Sequence, residues 1–168
     1  MPQGHALVAN RATTCLATFR LIAGKYPEVD PDWLLSDLIA TTPGAGGQVV
    51  ATAKTLTRFE LAMQLAWNSP CDPKTLIRAA RDHIEKSPSF MIEAALAALH
   101  WICQGRKYEL TSLDVKMAYR LAQEAGDALG QSDRVALRIQ TMLRSTTREV
   151  RWVRELLNLP APSEGGAL

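Results

Sequence analysis

Asp30-Pro31, Asp72-Pro73 and Ser87-Pro88 each place a residue with a capping side chain directly before a proline, next to a run of helically spaced apolar residues. An Asp or Ser oxygen accepts hydrogen bonds from the free N–H groups of a helix's first turn. Proline at the first helical position has no N–H to leave unpaired. Each pair therefore predicts a helix start. Proline also blocks the continuation of an earlier helix through it. The three pairs thus cut the chain into separate helices and exclude one long rod.

Apolar spacing between these marks is helical almost throughout, and only Tyr108–Thr111 is ambiguous with a strand. The first helix is expected over His5–Ala23, with Gly24 as its stop. A short one follows Pro31, with Trp33, Leu34, Leu38 and Ile39 facing inward. Pro43–Gly47 breaks the chain before a helix over Gln48–Trp67. Pro73–Lys86 is amphipathic, with Leu76, Ile77, Ala80 and Ile84 inside and Asp82 placed to pair with Lys86. Pro88–Gln104 is apolar around most of its circumference, interrupted by Glu93, and this marks a central helix packed on several neighbours. Thr111 and Asp114 look like the cap of a helix reaching Leu129. Ser132 opens another over Asp133–Arg144. A last one covers Thr146–Leu157, and the sequence leaves open whether these two are continuous.

The expected fold class is therefore all-α: a seven- to eight-helix bundle or a short stack of antiparallel helical hairpins. At 168 residues, with 47% apolar and 21% charged residues, the chain suits one domain. That domain is expected over 1–159, with 160–168 as a flexible C-terminal tail. Ala118–Leu143 has the small-residue rhythm of a tetratricopeptide hairpin, but no second copy follows at that period. Tyr108–Ala118 superficially resembles the second loop and third helix of a histone fold, in its Thr-x-x-Asp-Val-x-x-Ala pattern. The long middle helix which that fold requires is broken here at Ser87-Pro88. A capped helix start accounts for the same residues.

Several function classes lose support at once. No apolar run approaches the roughly 20 residues of a membrane span. No secretory leader is evident, and three scattered cysteines, Cys15, Cys71 and Cys103, fit neither a disulfide framework nor a zinc site. A cytoplasmic protein of bacterial type is expected. The Pro43–Gly47 loop lacks the Lys-Ser/Thr of a phosphate-binding loop. His100 and Cys103 share a helix face, as metal or nucleophile pairs do, but no third ligand or orienting group is spaced to join them. Glu60, Glu93 and Glu109 are the carboxylates considered for acid–base work, Glu93 foremost. No catalytic residue, metal ligand or cofactor is assigned.

Charge is less even than the net +2 implies. Residues 130–160 hold six arginines and three acids, which leaves the rest of the chain at −1. Arg144, Arg148 and Arg151 would share one face if the last two helices were continuous, with Arg154 and Trp152 beside them. The residues expected to bind a partner are Trp33, Trp152, Arg144, Arg148, Arg151 and Arg154. The leading expectation is a non-enzymatic interaction or scaffold protein that binds a protein partner or its own copy. A nucleic-acid factor using the arginine face, or a small-molecule site or enzyme near His100, are the alternatives.

Overall fold

The computed structural model describes residues 24–30, 33–34, 37, 59–68, 70–83, 87–105 and 108–160. The expected helix over His5–Ala23, the Pro43–Gly47 loop, Lys86 and the 161–168 stretch lie outside them. Every regular element among the described residues is helical. These are α1 (Phe59–Asn68), α2 (Pro73–Arg81), α3 (Pro88–Cys103), α4 (Ser112–Ala128), α5 (Ser132–Met142) and α6 (Arg148–Leu157). None is long and apolar enough to cross a membrane. The chain divides into two compact units, Met1–Cys71 and Asp72–Leu168.

In the first unit, Asp30 accepts backbone bonds from Trp33 and Leu34 at 3.1 and 3.2 Å, so a helical turn does begin at the first cap-proline pair. Leu34 is fully buried, whereas Trp33 is 41% exposed. Trp33 was expected to face inward. Successive helical residues point about 100° apart, and Leu34 takes the inward direction. On α1, Ala62 and Ala66 are fully buried.

The second unit is organised around α3, which touches α2, α4, α5 and α6. Asp72 caps α2 as expected, its carboxylate accepting from Lys74 N at 3.0 Å. The Ser87 side chain does not cap α3; only its carbonyl serves, accepting from Met91 N at 3.0 Å. Helix α2 ends at Arg81, before the expected Lys86, and Asp82 lies 3.8 Å from Arg81 Nε. Eleven residues of α3 are buried, including four alanines, Ala94, Ala95, Ala97 and Ala98. Small side chains there let α2 and α4 approach closely.

The remaining polar positions of α3, Ser89, Glu93, His100 and Cys103, fall within a stripe about 80° wide. Glu93 on this stripe is neither an isolated buried acid nor a plain solvated one. Arg138 of α5 grips it with both terminal nitrogens, Nη1 to Oε1 and Nη2 to Oε2, the latter at 2.8 Å. Both side chains are about one-third exposed. A two-pronged guanidinium–carboxylate pair fixes geometry as well as adding energy. It sets the register of α5 on α3.

Helix ends are closed by local chemistry. Thr111 and Asp114 form a reciprocal capping box at α4, the Thr111 amide and hydroxyl both donating to Asp114 Oδ2 at 2.8 Å. At the other end Gly130 takes φ 64°, and Gln131 N reaches back to Gly126 O at 2.8 Å. This is the six-residue closure that a left-handed glycine permits. Asn158 does the same for α6 at φ 52°, with Leu159 N bonded to Arg154 O at 3.0 Å.

Candidate partner-docking recess

The two C-terminal helices are not continuous. The chain leaves helix after Met142, turns through Leu143–Thr147 and re-enters at Arg148. Ser145, Thr146 and Thr147 explain the break, because short hydroxyl side chains compete with helix bonds by capping backbone groups. Thr147 N bonds Ser145 Oγ at 3.3 Å, and Thr147 Oγ1 accepts from Val150 N at 3.4 Å. Ser132, expected to cap α5, is instead its first residue and donates its hydroxyl to Asp127.

The break scatters the anticipated arginine face. Arg144 lies in the turn, while Arg148 and Arg151 stand on α6, and all three are exposed. Arg154 turns the other way. It is only 9% exposed, and its Nη2 donates to the carbonyls of Leu143 and of Ser145, the latter at 3.1 Å. Carbonyls at a helix C-terminus have no partner within their own helix. Arg154 supplies one, and so fixes the turn that aims α6.

The first turn of α6 closes on the C-terminal end of α3. Gly105, at φ 65°, follows α3, and Glu149 lies over it. A Cβ at position 105 would stand 2.8 Å from Glu149 Cγ and Cδ. The bare glycine thus accepts both the left-handed backbone and the close approach. Beside this contact lies an open recess of about 350 Å³. Ile102 and Leu110 give it apolar surface, Tyr108 and Trp152 supply two aromatic rings, and Arg148 and Glu149 supply opposite charges. Of the residues singled out from sequence, Trp152 and Arg148 meet here. Arg144, Arg151 and Arg154 do not line it, and Trp33 belongs to the other unit.

Tyr108, Leu110, Gly105 and Glu149 were not anticipated as one site. Gly105 as a helix stop was the available signal, since a chain that turns there must carry residues 108–110 past the helix end.

A larger groove, about 420 Å³, runs between α4 and α5. Its polar groups already hold one another. Arg120 bonds Glu124 at 2.6 Å, Gln123 donates to the Tyr119 hydroxyl at 3.0 Å, and Ser132 holds Asp127.

The His100–Cys103 face is half-buried. The His100 ring meets Trp101 edge-on at 4.9 Å, and burial lowers its pKa. Burial pushes the Cys103 thiol up to about 12, with Arg154 pulling it down and Glu149 pushing it further up. A nucleophilic cysteine needs the opposite shift. His83 packs against Phe90 at 5.1 Å. Among the described residues no group of three His, Cys, Asp or Glu is placed to hold a metal ion.

Cys103 carries a prediction. Its folded pKa lies above the ordinary 9.0. Folding therefore retains a proton that the unfolded chain releases, so this contribution to stability is complete below pH 9 and declines as pH rises towards 12. Iodoacetamide at mildly alkaline pH should leave Cys103 unmodified in the folded protein and label it after denaturation. Mass spectrometry reads both, and equal labelling rates in the two states would refute the assignment.

No protein-family model, curated protein or solved structure matches this chain.

Proposed function

We propose that this protein is a non-enzymatic helical interaction module that works in the cytoplasm and docks a partner protein in the recess at the end of α3. On this reading the whole chain folds as seven or eight helices over 1–159, followed by a loose tail, and uses no cofactor. The observation that carries the proposal is the recess itself. Two aromatic rings, two apolar side chains and a pair of opposite charges line it together. Trp, Tyr and Arg are the residues that most often anchor partners at protein interfaces. Trp33, exposed on the first unit, serves this reading as a further anchor.

Photo-crosslinking in cells tests it. A benzophenone amino acid replacing Tyr108 should capture a protein, and one replacing the exposed Leu137 of α5 should not. Trp152→Ala should abolish the capture from position 108. Identical capture from both positions, or capture indifferent to Trp152→Ala, removes the recess as the docking site. A captured mass equal to the chain's own would identify a second copy as the occupant.

A further inference from the structure

We infer that the recess accepts an acidic segment of another protein, one that carries a large apolar side chain between carboxylates. This rests on the docking reading above and adds the chemistry of the partner.

The arginines of the C-terminal region fall into two groups. Arg138 is locked onto Glu93, and Arg154 onto the carbonyls of the turn. Arg144, Arg148 and Arg151 are exposed, and no hydrogen bond or ion pair among the described residues engages their guanidinium groups. Nor does helix stability account for the last two. Arg148 begins α6, and Arg151 follows within its first turn. A helix's positive end disfavours cations, which gain stability only near its C-terminus. These charges are therefore placed against the interest of their own helix, and Arg148 among them lines the recess. An anionic partner reverses that balance.

The same surface disfavours a polyphosphate. Glu149 lines the recess, and Glu155 stands exposed farther along the helix. Nucleic-acid affinity comes from a continuous set of cations that displaces counterions along the backbone. Here the recess itself pairs one cation, Arg148, with one carboxylate, Glu149, and Glu155 follows Arg151 by one helical turn. A polypeptide meets such a pattern more easily. Its acidic side chains face the arginines, a backbone N–H faces Glu149, and an apolar side chain enters between Trp152 and Leu110. Arginine suits this role, because its planar fork binds carboxylates through two parallel hydrogen bonds.

The test uses the full chain and three fluorescent probes. One is a glutamate-rich peptide with a single central phenylalanine, the second is its lysine-for-glutamate counterpart, and the third is an oligothymidylate. Fluorescence anisotropy should show binding of the acidic peptide alone, weakening as salt is raised. The double variant Arg148→Glu, Arg151→Glu should weaken it at least about tenfold, through loss and reversal of two facing charges. Trp152→Ala should weaken it with its salt dependence retained. Arg134→Glu, on the exposed side of α5, should change little, and circular dichroism confirms that each variant is folded. No binding of the acidic peptide, or binding indifferent to the double variant, overturns the inference. Tighter binding of the oligonucleotide through the same arginines overturns it in favour of nucleic acid. Should crosslinking from position 108 succeed while the acidic peptide fails, the docking site stands and only the partner's chemistry is wrong.

Discussion

Leu96→Ala lowers the free energy of unfolding by about 3 kcal/mol. Leu96 is fully buried near the middle of α3, the helix that touches α2, α4, α5 and α6. Deleting its outer carbons removes their transfer free energy and leaves a cavity. Ala94, Ala95, Ala97 and Ala98 surround it in sequence and have no side-chain length with which to fill that cavity. Leu96→Met, which conserves volume, should cost less than about 1.5 kcal/mol. Urea titration decides the matter. The midpoint should fall with the slope unchanged, since the same surface is exposed on unfolding. A loss below about 1 kcal/mol for the alanine variant would mean that the surroundings collapse freely, and that α3 is not the rigid centre of the unit.

Arg154→Met should cost about 2–3 kcal/mol, from lost charge-assisted hydrogen bonds and the unsatisfied carbonyls they leave. Methionine keeps most of the apolar stem but offers no donor to Leu143 O or Ser145 O. Arg154→Lys should recover only part of the loss, because a single ammonium cannot reproduce the planar fork. The change also reaches the recess. Arg154 does not line it; it positions the turn that aims α6, the helix that carries Arg148, Glu149 and Trp152. Amide hydrogen exchange at residues 143–150 should quicken, and capture from position 108 should fall. An Arg154→Met protein as stable as the parent, with unchanged exchange in the turn, would show that the buried guanidinium is dispensable.

The two variants differ in how readily their sites could be foreseen. The place of Leu96 follows from a local pattern. A helix apolar nearly all round keeps only a narrow wet stripe and must be enclosed on its other sides. The role of Arg154 does not follow from any pattern. Its spacing from Arg151 and Arg148 joins it to a charged surface stripe, and only the break at Ser145–Thr147 shows which side of α6 faces inward. Glu93 stands similarly. Its interruption of an apolar helix is visible in sequence, but its partner lies 45 residues away, on a helix whose own pattern names no ion pair.

The cap-proline pairs show the same limit in miniature. Proline acts through its own ring and missing N–H, so the start of α3 at Pro88 is legible without knowing anything else about the fold. Whether Ser87 also lends its hydroxyl depends on its side-chain torsion, which answers to the surroundings, and here it does not.

By itself, then, the sequence determined what short-range forces determine: among the described residues, helices in place of strands, the starts at Pro73 and Pro88, the Thr111–Asp114 capping box, and the enclosure of Pro88–Cys103. Tertiary structure decided which charges meet. It turned Arg154 inward, joined Arg138 to Glu93, laid Glu149 over the bare backbone of Gly105, and brought Trp152 and Arg148 into one recess with Tyr108. The reason is range. Helix signals act within about four residues along the chain, whereas the recess assembles residues separated by up to fifty positions, and their meeting depends on how whole helices pack.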